Sequence, residues 1–566
     1  MAPISLEPPK KKFGFRWLLS SIGFLSILFI TSKYLIDSNN LSNELNKLPP
    51  NPYKNFTKLI PTGSRAKEII NDPNYAKKSL NYFQGALKIP TEVFDDSERP
   101  ENDINNWKFF LKFHEYLESS FPLTFSKLEV TKINKLGLII EYPGSNKDLK
   151  PLVLTAHQDV VPVDESSLDR WIHPPFSAHY DGEFVWGRGA FDTKSLLISI
   201  FENFELLLES GYKLTRTIIL SAGYDEESIG RYDGAVSLVK FLKEKYDSIY
   251  ALVDEGGHLV NVPGAENRYI ALPGVAEKGY IDVYFELSVE GGHSSVPFDH
   301  SAIGITGDLV HLIENDPYGA ILTEDNPILD YLRTLGEIDE FEIDDDLRKS
   351  FLYAKYDESS RNDVLEYLAG SKSTKYLVRT SQAIDIIHAG VKINAIPEYL
   401  KLGINHRISL EKNVDDILNN LIDKAKEISE IFDLNLYLQN QTTILENDNS
   451  KGSFNISWIQ PLNPSPISNT INDSAFQILS STIKSVFEDI ILPNSTVDIV
   501  PNLVGGYTDA SRYHALGNNI YRFAGNVAED GSGAHAVNEK FRFQAHLNQV
   551  AFLYDYILNV QEYDSF

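Results

Sequence analysis

The amino-acid sequence predicts an α/β fold: a mostly parallel sheet, an inserted α+β domain and one N-terminal transmembrane helix. Three observations support this. Short apolar runs alternate with helical stretches from residue 128 onward, which is typical of a parallel sheet covered by helices. Polar and apolar residues alternate over 279–289, which indicates a half-exposed antiparallel strand and a second domain. An uncharged stretch lies close to the N-terminus.

That uncharged stretch begins at Trp17, and the predicted span covers residues 17–36. About 20 residues are needed to cross a bilayer. Residues 1–16 are basic, so the positive-inside rule predicts a cytosolic tail and a lumenal remainder, a single-pass type II protein. A cleaved signal peptide is the alternative, but Lys33 and the lack of a small-x-small cleavage site weigh against it. Six glycosylation sequons fit a lumenal location, at Asn40, Asn55, Asn440, Asn455, Asn472 and Asn494.

Beyond the span, residues 37–65 are rich in Asn, Ser and Pro and are predicted to form a lumenal stalk. The strand and helix pattern then predicts one domain in two parts, 66–278 and 456–566, interrupted by an inserted domain at 279–455. Within the insertion, the acidic residues 337–375 are expected to be helical.

Composition excludes several classes of function. A net charge of −27 over 566 residues argues against binding nucleic acid, because neutralising phosphates needs clustered Lys and Arg. The chain has no Cys, which excludes disulfides, thiol catalysis and Cys-ligated metals. Any metal ion must therefore be held by His, Asp and Glu.

Candidate ligands follow the apolar runs. The run Leu152–Thr155 leads to His157, and Asp159 is placed to accept the other imidazole N–H. Ligands gather at the carboxyl ends of strands in open α/β sheets. Four further stretches offer acids or a His at such positions: Asp192 after Gly187 and Gly189, Asp225-Glu226-Glu227, Asp254-Glu255-Gly256-Gly257, and His535 after Gly531 and Gly533.

Carboxylates meeting at one edge would repel each other. Two unit charges 4 Å apart interact by about 4 kcal/mol at an effective dielectric of 20, so such a cluster needs cations. Histidine ligands favour a transition metal over Ca²⁺ or Mg²⁺, and a co-catalytic pair needs a bridging carboxylate. Each stretch alone is also typical of an ordinary solvated loop or turn, but their combination favours a metal site.

Together these motifs resemble the M20 family of co-catalytic zinc metallopeptidases, and the N-terminal span is similar to its fungal vacuolar carboxypeptidase (Gly-Xaa) branch. The resemblance implies a zinc-exopeptidase catalytic domain, residues 66–278 and 456–566, with residues 279–455 as a lid domain of the dimerisation type. It also implies two Zn²⁺ per chain and a cis peptide between Asp192 and Thr193. The implied roles are His157 and Asp254 on one zinc, Glu227 and His535 on the other, Asp192 as bridge, Asp159 orienting His157, and Glu226 as general base.

The lid and its pocket have counterparts too. Gly291-Gly292-His293 resembles the lid motif whose His reaches the scissile carbonyl, from the partner subunit in dimeric members, which implies a homodimer through the lid. For His293 a turn histidine, and for Arg407 a surface arginine, are the alternatives. The residues that resemble the substrate-carboxylate pocket are Asn394, Arg407, Gly505, Gly506 and Thr508.

These residues predict a membrane-anchored di-zinc carboxypeptidase in a vacuolar lumen. It would hydrolyse the C-terminal amide bond of short peptides by means of a hydroxide that bridges the zincs. Two alternatives remain: an N-acyl-amino-acid amidohydrolase with the same chemistry, and an inactive binding protein on the same fold. Glu226 and the complete ligand set weigh against an inactive protein.

Overall fold

A computed structural model describes residues 44–95, 97–228 and 234–563. The predicted cytosolic tail, the span at 17–36 and the start of the stalk lie outside these residues. No helix in the described part of the chain combines the length and apolar character needed to cross a membrane.

The described residues contain helices and strands throughout. Helices run over Ala66–Asn71, Pro73–Leu87, Lys108–Ser120, Pro122–Lys127, Lys194–Ser210, Gly234–Lys245, Ala302–Asn315, Ile328–Gly336, Asp345–Tyr353, Glu358–Ala369, Val414–Ile431, Ser474–Val486 and Phe543–Glu562. Strands are β1 Glu129–Ile133, β2 Gly137–Tyr142, β3 Leu152–Thr155, β4 His179–Tyr180, β5 Phe184–Trp186, β6 Ile218–Ala222, β7 Ala251–Asp254, β8 Leu259–Asn261, β9 Arg268–Ala271, β10 Gly274–Glu277, β11 Gly279–Val289, β12 Gly292–His293, β13 Ala383–Ala389, β14 Ala395–Ile396, β15 Tyr399–Ile408, β16 Asn435–Leu438, β17 Thr443–Leu445, β18 Gly452–Leu462, β19 Thr496–Ile499, β20 Asn502–Val504, β21 Ile520–Arg522, β22 Gly531–Ser532 and β23 Lys540–Arg542.

The largest sheet has eight strands in the order β1-β2-β6-β3-β7-β21-β10-β20. Its centre, β6-β3-β7-β21, is parallel, whereas β1, β2 and the β10–β21 pair are antiparallel. The α/β class is thus confirmed, but the sheet is more mixed than predicted. The central strands β3, β6 and β7 are buried along their whole length, as expected for parallel strands covered on both faces.

The strand predicted over 279–289 is β11, which together with β18 is one of the two longest strands of a second sheet ordered β13-β15-β11-β18-β16-β17. It is more buried than predicted, because its first five residues are all buried and alternation begins only at Tyr284. This sheet is antiparallel except for the β16–β18 pair. Helices Ala302–Asn315 and Val414–Ile431 pack on it and form a hydrophobic core separate from that of the large sheet. This unit corresponds to the predicted inserted α+β domain.

The acidic stretch 337–375 is helical, as predicted, with helices Asp345–Tyr353 and Glu358–Ala369. Its apolar side chains, among them Phe351 and Leu368, join the core of the large sheet and not that of the inserted sheet. By packing, this segment therefore belongs with the first domain, although it lies within the insertion in sequence.

The C-terminal helix Phe543–Glu562 is buried along nearly all of its length. It packs against helix Lys194–Ser210, against Ser474–Val486 and against Ala66–Asn71 near the start of the described chain. A backbone N–H at Thr62 donates to the Glu562 carboxylate over 2.8 Å, so the two ends of the described domain are held together.

Candidate metal centre

Three adjacent parallel strands, β6, β3 and β7, end at the same edge of the large sheet. His157 lies two residues beyond β3, Glu255 directly follows β7, and Glu226 and Glu227 lie beyond β6. The strand ends thus bring one histidine and three carboxylates to one edge, as the sequence pattern predicted for all of them except Glu255.

Asp192 reaches the same edge from the loop between β5 and helix Lys194–Ser210. The peptide bond between Asp192 and Thr193 is cis, which confirms the prediction. One Asp192 oxygen, Oδ1, lies 3.2 Å from His157 Nε2, and the other, Oδ2, lies 3.1 Å from His535 Nε2. The carboxylate therefore stands between the two histidines, as a bridging ligand would.

The donor atoms fall into two overlapping groups that share Asp192. In one group, Glu255 Oε1 lies 3.3 Å from His157 Nε2. In the other, Glu227 Oε2 lies 2.9 Å from His535 Nε2. The donor atoms of His157, Asp192 and Glu255, and likewise those of Asp192, Glu227 and His535, lie within 4.8 Å of one another. A third such group joins His157 to Glu226 and Glu227.

Asp254, predicted as a ligand of the first zinc, is in none of the three donor groups found among the described residues. It is the last residue of β7, it is buried, and its Oδ2 accepts a hydrogen bond from the Ala510 backbone N–H over 3.1 Å. Successive side chains along a strand point to opposite sides, so the next residue, Glu255, turns toward the imidazole. Sequence reasoning missed Glu255, although it stands in the same Asp-Glu-Gly-Gly motif.

Asp159 is fully buried beside His157, which it was predicted to orient through its side chain. Its backbone carbonyl lies 3.0 Å from His157 Nδ1, nearer than its carboxylate Oδ1 at 3.4 Å. Its other oxygen, Oδ2, accepts the Glu227 backbone N–H over 2.9 Å. Asp159 thus holds both the imidazole and the backbone that carries Glu227.

The electrostatic field at this edge is strongly negative. Burial, reinforced by the charge of Asp192, raises the pKa of the Glu227 carboxyl to about 7. Hydrogen bonds to Asp192 and Glu227 raise the pKa of His535 to about 10. For Asp192, burial opposes ionisation, but hydrogen bonds from both histidines outweigh it and hold its pKa below the usual range. The protein therefore stabilises positive charge at the positions between these carboxylates.

This donor set fits divalent zinc. Each of the two groups supplies one imidazole nitrogen and carboxylate oxygens, which are ligands zinc accepts, and the shared Asp192 carboxylate has the place that a bridging ligand of a co-catalytic pair would take. Asp159 supplies the outer contact that fixes the ring of a ligating histidine. We name the five residues of these two groups the ligand cluster: His157, Asp192, Glu227, Glu255 and His535.

The lid residues lie on exposed backbone. His293 forms a two-residue ribbon with Ala395, and its Nδ1 accepts the Ser295 backbone N–H over 3.1 Å. The Asn394 carbonyl accepts the Ser294 backbone N–H over 3.4 Å, so the structure places His293 beside Asn394. Among the described residues, no hydrogen bond or ion pair joins His293 to the ligand cluster.

Arg407 lies on β15 of the second sheet with its guanidinium over the Tyr280 ring, 4.5 Å from the ring centroid. The Tyr280 ring lies 6.5 Å from that of Tyr507, which belongs to the predicted pocket loop. In that loop Gly505 is exposed and Gly506 buried. The buried Thr508 donates its hydroxyl to Glu277 Oε1 over 2.6 Å. Arg407 therefore faces the loop across two aromatic rings.

Comparison with known proteins identifies the family. The sequence model described as peptidase family M20/M25/M40 matches residues 153–559. The chain belongs to this family. The M20 assignment confirms that the protein is a hydrolase, and the matched range includes every residue of the ligand cluster.

Relatives of this M20 peptidase cover most of its length. Carboxypeptidase S of Saccharomyces cerevisiae is 40% identical over 88% of this chain and 86% of its own. The N-fatty-acyl-amino acid synthase/hydrolase PM20D1 of Mus musculus is 29% identical over 85% of this chain and 87% of its own. Among solved structures, human carnosine dipeptidase 1 matches 89% of this chain and all of its own with a TM-score of 0.60 at 15% identity, which shows a shared fold.

The choice between Asp254 and Glu255 is testable by metal content. We expect Glu255→Gln to weaken metal binding at least about tenfold, because an amide cannot supply the anionic oxygen. Asp254→Asn should leave binding unchanged, because the Asn oxygen still accepts the Ala510 N–H. Metal bound per chain is measured by atomic emission after dialysis against graded chelator. The reverse order of the two variants would restore Asp254 as the ligand.

Proposed function

We propose that this M20 peptidase is a di-zinc carboxypeptidase that hydrolyses the C-terminal amide bond of short peptides of the Gly-Xaa type. The observation that carries the proposal is the Asp192 carboxylate between His157 and His535, each with a further carboxylate beside it. His157, Asp192 and Glu255 would hold one ion, and Asp192, Glu227 and His535 the other. Zinc held there would polarise the scissile carbonyl and acidify a water molecule.

Glu226 is proposed as the general base. Its carboxylate lies within 4.8 Å of the donor atoms of His157 and Glu227, yet it belongs to neither of the two groups that share Asp192. Burial raises the pKa of Glu226 well above its usual range, against the opposing charge of His157. A carboxylate with a raised pKa takes up a proton readily near neutral pH and then returns it to the leaving amine.

Substrate orientation is proposed to come from the lid. Arg407 would pair with the free C-terminal carboxylate, with Asn394 and the Gly505, Gly506 and Thr508 loop completing the pocket. His293 would donate a hydrogen bond to the carbonyl oxygen as negative charge develops on it.

A second copy of the chain is proposed to cover the lid. Val391 and Ile393 are each 99% exposed and Val296 is 78% exposed, all next to the His293 ribbon. Large apolar side chains exposed to this degree on one ribbon are typical of a surface that a partner covers. In such a homodimer, His293 would serve the site of the partner subunit.

An N-acyl-amino-acid amidohydrolase is the second candidate. The relative named as an N-fatty-acyl-amino acid synthase/hydrolase supports it, and so does the chemistry, because an N-acyl amino acid carries the same amide and free carboxylate as a dipeptide. Comparing kcat/KM for the two substrate classes separates the candidates.

We propose a vacuolar, lumenal location with the chain anchored by residues 17–36. The basic flank of that segment supports the orientation. Of the sequon residues in the described chain, Asn55, Asn440, Asn472 and Asn494 are exposed, whereas Asn455 is partly buried on β18.

The function is tested with an N-blocked Gly-Leu substrate. We expect hydrolysis that a chelator abolishes and added Zn²⁺ restores. The matched substrate with a C-terminal amide should show kcat/KM lower by at least about 100-fold, because Arg407 would lose its charged partner. Turnover that survives metal removal would contradict a metallopeptidase, and equal cleavage of the amide would contradict a carboxypeptidase.

The base is tested with Glu226→Gln. We expect metal content to remain at the wild-type level while kcat falls about 10²–10⁴-fold, because proton transfer is removed and ligation is not. Glu244→Gln, at an exposed position on helix Gly234–Lys245, serves as the matched control and should keep full activity. Near-normal kcat in Glu226→Gln would mean that another group acts as the general base.

The topology is tested by deglycosylation of protein purified from a fungal host. We expect endoglycosidase treatment to increase electrophoretic mobility, because a lumenal chain exposes its sequons to the transferase. Asn55→Gln, which removes one exposed sequon, should shift mobility by a single glycan before treatment. A chain whose mobility does not change on treatment would place the catalytic domain outside the secretory pathway.

A further inference from the structure

The buried carboxylate of Glu539 accepts four hydrogen bonds from the loop that ends in Asp192. Its Oε2 accepts from Arg188 Nη1 over 2.7 Å and from the Gly189 backbone N–H over 3.1 Å. Its Oε1 accepts from the backbone N–H groups of Phe191 over 2.9 Å and Asp192 over 3.1 Å. The Glu539 side chain is 0% exposed, so these four donors replace water entirely.

The same residue belongs to the loop that carries His535, four positions earlier in the chain. The Glu539 carbonyl accepts the Gly187 backbone N–H over 2.9 Å. Arg188 Nη1 also lies 3.4 Å from the Ala536 carbonyl, next to His535. Glu539 therefore ties together the two loops that present Asp192 and His535.

Each of the two loops also packs closely at a glycine, where a side chain would not fit. Gly189 has φ +84°, and a Cβ there would lie 2.6 Å from Val160 Cγ1. Gly533 has φ +80°, and a Cβ there would lie 3.0 Å from the Glu539 Cα. The positions of both loops are thus set by close packing and by the hydrogen bonds to Glu539.

The other ligands do not depend on these loops. His157 and Glu255 extend from the ends of β3 and β7, whose backbones pair within the large sheet. The two ligand groups therefore differ in support. In the first group, the sheet holds His157 and Glu255. In the second group, Asp192 and His535 lie on the two loops that Glu539 joins.

We propose that Glu539 is a positioning residue for the metal centre, which sets the Asp192 carboxylate and the His535 imidazole at the spacing that the second ion needs. The inference rests on the proposed di-metal function. Loss of the Glu539 charge should weaken mainly the position formed by Asp192, Glu227 and His535. Metal affinity should fall less at the position formed by His157, Asp192 and Glu255.

The test is metal titration of the full chain, with Glu539→Gln compared to wild type. Zn²⁺ is added to metal-free protein in competition with a chromophoric chelator, which resolves two binding constants. We expect one of the two constants to fall about 10–100-fold and the other to change less than about threefold. Glu183→Gln, a Glu-to-Gln change in the exposed ion pair with Arg542, is the matched control and should change neither.

Several outcomes decide the matter. Two unchanged constants in Glu539→Gln, or an equal fall in both, would overturn the positioning role. If wild type binds no ion, the proposed function fails and the inference falls with it, whereas two ions in wild type leave the function standing.

If Glu539→Gln does not fold, Arg188→Met decides, because it removes one donor and keeps the three backbone N–H groups. It should weaken the same constant by a smaller factor, and unchanged constants would overturn the proposal.

Discussion

Three carboxylates and two imidazoles lie together at one edge of a buried sheet, with nitrogen-to-oxygen distances of at most 3.3 Å. This concentration of charge governs the site. Carboxylates so close repel each other by several kcal/mol, and burial adds a desolvation cost. Both effects appear in the raised pKa of Glu227. Cations relieve them, so a folded chain of this sequence is prepared to bind metal before any substrate arrives.

The protein keeps these groups in place in two different ways. At the strand ends, the sheet pairs the backbones from which His157 and Glu255 extend, and Asp159 holds the His157 ring. On the loops, backbone N–H groups have no partners in a sheet, and a buried side chain must supply them. Glu539 does so for the Asp192 loop, and Asp159 does so for the backbone of Glu227.

The sequence predicted most of this arrangement because strand-end chemistry is local. An apolar run followed by His157, or by Glu226 and Glu227, already contains the information that places these side chains. The choice between Asp254 and Glu255 depends on which side of β7 each residue faces, and a two-carboxylate motif at a strand end does not reveal this. Glu539 gave no signal either, because its partners lie about 350 positions earlier in the chain. The mixed sheet and the packing of helix Glu358–Ala369 on the large core also arise from long-range contacts, which local patterns do not contain.

The position of helix Phe543–Glu562 has a consequence for biosynthesis. The helix is an internal element of the large core and packs on Lys194–Ser210, which is made more than 300 residues earlier. A ribosome releases the N-terminal segments first, so the strands that lead to His157 and Glu255 must wait for this helix before their core closes. The inserted domain has its own hydrophobic core, and all of its strands precede this helix. It can therefore fold during synthesis, whereas the core of the large sheet is completed only after helix Phe543–Glu562 has been made.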